Sequence, residues 1–279
     1  MDKFDKICKD IKSLKIQGAE NIAIEGVKAL LLKHDSESIK KIISTRPTEP
    51  ALRNAVNFAK PNPKKLVPKV LRHFQESKKK IIKFGKEKIK DGDIVYTHCH
   101  SSTVIAILEA AWKKGKRFEV HNTETRPMYQ GRITATELAN KLKIPVKHYV
   151  DSAARFALKR ADIMLIGADA ISMEKGGRII NKIGSEMIAE VAESYSVPVY
   201  VATNSWKFDP LTIYGYEHIE KRPSSEVWKG PPKGVEIINI AFEKIDANLV
   251  EGIISEFGTL KFHDLINKLR GAYPWMFKI

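Results

Sequence analysis

DIVYTHCHSSTVIAILEAAW, residues 93–112, is the stretch that decides the fold. Its first half is a short apolar run ending at His98, and its second half, from Ser101 to Trp112, repeats apolar residues at helical spacing. A buried strand that feeds directly into a helix is the opening of a βαβ unit, from which parallel sheets are built. Cys99 stands at the joint. Backbone amides at a helix start carry partial positive charge and favour a thiolate there. The same joint in open α/β sheets receives phosphorylated ligands. The plainer alternative is packing, because a free cysteine behaves as a small hydrophobe and is often buried.

Downstream, apolar runs continue to alternate with helical segments. Strands are expected at DIVYTH (93–98), RFEVHN (117–122), PVKHYV (145–150), DIMLIGA (162–168), PVYVAT (198–203) and VEIINIAF (235–242). Helical patterns lie between most of them, as in a doubly wound sheet, and GGRIINKIGSEMIAEVA (176–192) turns into a helix. No GxGxxG follows the first strand, so a dinucleotide cofactor is not expected, and no other cofactor is implied. KRPSSEVWKGPPKG (221–234) reads as an ordered loop or lid connection.

Upstream, the pattern is helical: FDKICKDIKSLKI, NIAIEGVKALLLKH, SESIKKIISTR and the basic stretch ESKKKIIKFGKEKIKDGD. In the last, the lysines flank Ile81, Ile82, Phe84 and Ile89 at helical spacing, which makes them the wet face of an amphipathic helix in preference to an RNA-binding strip. The expected fold class is therefore α/β: an N-terminal helical domain over residues 1–90, then a Rossmann-like, doubly wound, mostly parallel sheet domain over 91–279.

With 279 residues, the chain can bury an adequate core in one large or two modest domains. Forty-eight Lys and Arg against 33 Asp and Glu leave a formal charge of +15. Most of that charge reads as a solvated, Lys-rich surface, while some of it suits phosphates; direct DNA binding is not expected. Two cysteines, Cys8 and Cys99, fit a reducing cytosol better than a disulfide scaffold. No signal peptide opens the chain and no apolar run approaches the ~20 residues a bilayer span needs, so a soluble, cytoplasmic protein is expected.

Loops after parallel strands converge on one edge of the sheet. Chemically capable groups recur there: Cys99, Ser101 and Ser102; then Thr123, Glu124, Thr125 and Arg126 with Gln130 and Gly131; then Asp151, Ser152 and Arg155; then Gly167 and Asp169; then Asn181, Lys182, Gly184 and Ser185; and finally Lys207. Each has a plain structural reading. Arg126 suits a surface ion pair, Asp151 and Ser152 suit a helix cap, Asp169 suits a turn cap, and Lys182 with Gly184 suits a helix start. Gathered on one edge, a thiol, carboxylates, cations and hydroxyls describe a site for a polar phosphorylated ligand. A metal is not expected. On a continuous strand, His98 and His100 would point to the face opposite Cys99.

The strings THCHSST (97–103), TETRPMYQGRITA (123–135), DSAAR (151–155), IGADAI (166–171) and NKIGS (181–185) resemble one superfamily. It comprises the regulatory alpha, beta and delta subunits of translation initiation factor 2B, methylthioribose 1-phosphate isomerase and archaeal ribose 1,5-bisphosphate isomerase. The resemblance extends from SLKIQGA (13–19) and TRPT (45–48) to GIISEFG (252–258). It implies that Cys99 and Asp169 are the catalytic pair, and that Arg46, Ser101, Asn181, Lys182 and Lys207 bind phosphate or position substrate. Arg126, from the strand-end cluster, joins them. Where the isomerases carry an Arg-Gly-Ala near the N-terminus that helps hold a phosphate, this chain has Gln17, Gly18 and Ala19; the resemblance places Gln17 and Gly18 at the phosphate, where glutamine can donate a hydrogen bond but lacks the charge and the bidentate fork of arginine.

The activity implied is an aldose–ketose isomerisation of a sugar 1-phosphate, ribose 1,5-bisphosphate going to ribulose 1,5-bisphosphate, with AMP as a candidate activator and a homodimer or homohexamer as the assembly. Asp169, protonated by burial, would act as the acid at the ring oxygen, and Cys99, as thiolate, would carry the proton from C2 to C1. The alternatives are a regulatory subunit binding initiation factor 2, and methylthioribose 1-phosphate isomerase.

Overall fold

The structure is a computed structural model that describes residues 2–215 and 222–278. Five helices precede the first strand: α1 (Lys3–Lys12), α2 (Ala19–Leu30), α3 (Ser36–Ser44), α4 (Pro50–Ala59) and α5 (Pro63–Lys86). Side chains of Asp2, Asp35 and Asn62 accept backbone amides at the starts of α1, α3 and α5, relieving donors that a helix leaves unpaired. Helix α1 buries Phe4, Cys8 and Ile11, one side of a 3.6-residue repeat. Along α5, Val67, Val70, Phe74, Ser77, Ile81 and Gly85 face inward, while Lys79, Lys80 and Lys83 are exposed. Helix α4 is buried over most of its surface, through Pro50, Ala51, Leu52, Asn54, Ala55, Val56 and Ala59. Trp206 and Met276, distant in sequence, close the same core. Among the described residues no helix is long and apolar enough to cross a membrane.

From β1 (Ile94–Thr97) the chain alternates: α6 (Ser102–Lys113), β2 (Glu119–Thr123), α7 (Gln130–Thr136), β3 (Val146–Tyr149), α8 (Ala154–Leu158) and β4 (Ile163–Ile166). Next come β5 (Ala170–Ser172), β6 (Arg178–Lys182), α9 (Ser185–Ser194), β7 (Val199–Ala202), β8 (Phe242–Asp246), β9 (Gly252–Ser255), β10 (Gly258–Leu260) and α10 (Phe262–Ala272). The main sheet has the order β10-β9-β7-β4-β1-β2-β3, parallel except at the β10 edge. The chain winds from β1 outward through β2 and β3, then returns to add β4, β7 and β9 on the other side. The reversal between β1 and β4 opens a crevice at their carboxyl ends, where such sheets bind ligands.

The doubly wound expectation holds, with three corrections. Strand β1 stops at Thr97, because Cys99 adopts a left-handed backbone (φ 67°) that no strand continues through. VEIINIAF is not a strand of the main sheet. Val235, Ile238 and Ile240 are exposed, and only Phe242 begins a strand, β8, in a small antiparallel sheet ordered β5-β6-β8. The place beside β7 belongs to Gly252–Ser255, in β9. Finally, the segment 176–192 forms β6 before its helix. Lys221, the first residue of the expected loop 221–234, lies outside the described residues, and the rest of that stretch is turn and coil around a short 3₁₀ turn, Ser224–Glu226.

Gly131 fixes how α7 meets β2. A Cβ there would sit 1.7 Å from the Thr123 carbonyl oxygen, and backbone cannot yield as a side chain can. Gly131→Ala should therefore destabilise the protein by ~1–3 kcal/mol, lowering Tm by roughly 2–12 °C in a calorimetric scan. An unchanged Tm would show that this contact is not the constraint.

Candidate active site

Cys99 follows β1 and Asp169 follows β4, so the two strands flanking the switch point deliver the thiol and the carboxylate. The Cys99 backbone is gripped from both sides. Its amide donates to Thr125 Oγ1 at 3.0 Å, and its carbonyl accepts from Thr134 Oγ1 at 2.8 Å. Thr125 is itself fixed by Asp151, whose two carboxylate oxygens accept the amides of Thr125 (2.8 Å) and Arg126 (2.7 Å). A left-handed conformation at a non-glycine residue costs of order 1–3 kcal/mol and persists where surroundings over-determine it.

Burial pushes the Cys99 thiol up to about 11. The Lys182 ammonium pulls the other way, while the charges of Asp169 and Asp151 add to the rise. Burial thus works against the thiolate that the joint alone would favour. Helix α6 starts only at Ser102, and one of its N-terminal amides, Val104 N, donates to Ser101 Oγ at 3.4 Å. Desolvation wins over a helix end that lies beyond the cysteine.

Lys182 ends β6 with its Nζ 4.2 Å from the Phe242 ring centre. Asn181 is buried and donates to Ser185 Oγ at 2.9 Å, and Ser185 donates on to the Lys182 carbonyl at 2.6 Å, so Asn181 shapes the turn into α9. Lys207 Nζ donates to the Ala168 carbonyl at 2.5 Å, beside Asp169. Arg46 pairs with Glu49 at 3.3 Å and lines, with Thr48, Glu49, Asp169 and Lys244, a cavity of about 50 Å³. That volume admits a few waters, whereas small-molecule pockets run to ≈300–1,000 Å³.

Of the expected residues, Arg46 and Asp169 line this cavity, whereas Cys99, Ser101, Arg126, Asn181, Lys182 and Lys207 do not. Gln17 is exposed and donates to its neighbour Leu14's carbonyl at 2.7 Å, with Gly18 beside it at the start of α2; neither lines the cavity. Arg126 is not a surface ion-pair partner: its guanidinium donates to Tyr129 Oη at 2.9 Å and to the Val227 carbonyl at 2.9 Å, fastening the 222–240 stretch to the site edge. Reading the sequence missed Glu243, a half-buried cavity-lining carboxylate that accepts the Glu186 amide at the start of α9 (2.6 Å) and is pushed up by desolvation. It also missed Thr134. Both Thr134 and Thr48 lay in the strings read from the sequence, TETRPMYQGRITA and TRPT, without being singled out.

A Rossmann-like sheet with a thiol, carboxylates and lysines converging on its switch point defines an α/β protein with a crevice for a polar anionic ligand. More particularly, the chain belongs to the initiation factor 2 subunit family, whose model matches residues 15–262. It is 34% identical to the ribose 1,5-bisphosphate isomerase of Thermococcus kodakarensis over 98% of this chain and 95% of that protein. It is 37% identical to the ribose 1,5-bisphosphate isomerase of Methanocaldococcus jannaschii over 93% of this chain and 92% of the relative. The crystal structure of translation initiation factor eIF-2B from Pyrococcus horikoshii OT3 superposes with a TM-score of 0.82 at 28% identity, covering 94% of this chain and 98% of that one.

Proposed function

We propose that this protein is an aldose–ketose isomerase converting ribose 1,5-bisphosphate to ribulose 1,5-bisphosphate. The observation that carries the reading is the convergence of Cys99 and Asp169 at the β1/β4 switch point, close enough for the carboxylate charge to push the thiol up. The archaeal isomerases it resembles along nearly their whole length support the choice of substrate.

The reaction moves one hydrogen from C2 to C1 and opens the ring between C1 and its ring oxygen. Asp169, as acid, gives its proton to that oxygen while Cys99, as thiolate, takes the proton from C2, leaving an enol between C1 and C2. Cys99 then returns its proton to C1, and Asp169 takes the proton of the C2 hydroxyl, which becomes the ketone. Both groups end as they began. The pair thus works with a single shared proton, required on Asp169 for the first step. Burial favours the protonated Cys99 thiol, so the thiolate forms against that bias, with the Lys182 charge favouring it. Lys182, Lys207 and Arg46 anchor phosphate, and Ser101 and Asn181 shape the turns that carry Cys99 and Lys182.

Exposed Val150, Phe156 and Met187, on and near the packed helices α8 and α9, support assembly as a homo-oligomer through this face. AMP as activator belongs to the same reading.

The test is phosphorus NMR of purified protein with ribose 1,5-bisphosphate, with and without AMP. Appearance of ribulose 1,5-bisphosphate supports the reading. No turnover, together with recovery of initiation factor 2 in a pulldown at physiological salt, would replace it with the regulatory-subunit reading.

A further inference from the structure

A histidine stands on each side of Cys99, and His98 is the more deeply placed, at 2% exposure. Both of its ring nitrogens are engaged: Nδ1 lies 2.8 Å from Thr123 Oγ1 and Nε2 lies 2.9 Å from the Ile183 carbonyl oxygen. A carbonyl can only accept, so Nε2 carries the proton. Tyr96 Oη donates to Thr123 Oγ1 at 3.3 Å, which turns the threonine's own proton toward His98 Nδ1. The donors therefore run one way, from Tyr96 through Thr123 and His98 to Ile183, as mutually polarising chains do.

This chain joins three pieces of the site. His98 immediately precedes Cys99, Thr123 closes β2, and Ile183 follows Lys182 in the turn between β6 and α9. Gly184 lets that turn come so close: its φ is 97°, and a Cβ on it would lie 3.2 Å from His98 Nε2. Within the turn, Ser185 ties Asn181 to the Lys182 carbonyl, so residues 181–185 move as a unit. The bond from His98 to Ile183 is what fastens this unit to the strand end bearing the thiol.

We propose that His98 is a positioning residue: its Nε2–H bond to Ile183 holds the Lys182 turn against the Cys99 turn and so keeps the lysine charge within reach of the sulfur. The consequence for turnover rests on the isomerase reading; the geometry does not. The charges facing Cys99 are Lys182, Asp169 and Asp151, and those facing His98 are Asp151 and Lys182. Releasing the turn withdraws the one cation of that set, so the thiol should become harder to ionise.

Two substitutions separate this role from simple packing. In His98→Gln the terminal amide can still donate to Ile183, whereas His98→Phe fills the space without a donor. The phenylalanine variant should lose about 100-fold in kcat/KM, the cost of a ~1 Å misplacement. The pH profile of its Cys99 alkylation by iodoacetamide, followed by peptide mass spectrometry that separates Cys99 from Cys8, should shift to higher pH. His98→Gln should recover most of both. Independently, nitrogen-15 spectra of the wild-type imidazoles should show neutral His98 as the Nε2–H tautomer at pH 8. Observing the Nδ1–H tautomer would overturn the proposal, as would alkylation profiles in both variants that match wild type. If the tautomer and the alkylation shift are found in a protein that does not turn over the sugar, the isomerase reading fails and the positioning role stands.

Discussion

Cys99→Ser is expected to lower kcat for ribose 1,5-bisphosphate by about 10²–10⁴-fold, the usual worth of a positioned acid–base group, while KM changes little. Serine keeps the size of the side chain and the backbone bonds to Thr125 and Thr134, so the left-handed turn and the fold survive. What disappears is the more acidic of the two groups. The thiol already stands at a disadvantage, pushed up to about 11 by its burial, and a hydroxyl in the same place is far weaker still as an acid. The phosphate anchors are untouched, which is why binding should persist. Phosphorus NMR gives the rate, and calorimetry gives the affinity. A variant that retains turnover within tenfold of wild type would remove Cys99 from the proton path.

How much of this was legible in the sequence depends on the range over which each signal acts. The joint at Cys99 was legible because a strand run and a helix run are local patterns, and topology does the rest by bringing strand ends together. The charge state of that thiol was not. It depends on where α6 begins and on how deeply 97–101 is buried, and Ser101 Oγ accepts one of that helix's first amides. VEIINIAF has the composition of a strand, yet strands exist only where an edge is free to pair. The edge of β7 is taken by Gly252–Ser255, so Val235, Ile238 and Ile240 are left exposed. Arg126 turns to a carbonyl 101 residues away, and Asn54 of α4 donates 2.8 Å bonds to the carbonyls of both Trp206 and Phe208, bracketing Lys207. Contacts at that separation leave no trace in local spacing.

Asp169→Asn should give the second large loss, again about 10²–10⁴-fold in kcat, and in a variant whose Tm matches wild type it should leave a second signature at Cys99. Asparagine matches aspartate in shape but can neither give a proton to the ring oxygen nor take one from the C2 hydroxyl, so both halves of the reaction lose their partner. The same substitution removes a negative charge from beside Cys99. That charge helps hold the thiol up, so its removal should bring the thiol down from about 11. At a fixed pH between 7 and 10 the thiolate fraction rises as the thiol's ionisation moves down, and alkylation of Cys99 by iodoacetamide should become faster than in wild type. The expected variant is thus slower as an enzyme and quicker as a thiol. Lys182→Met should move labelling the opposite way, because it removes the opposing cation. If Asp169→Asn labels Cys99 no faster than wild type does, the carboxylate and the thiol are not electrostatic neighbours, and the shared-proton mechanism loses its physical basis.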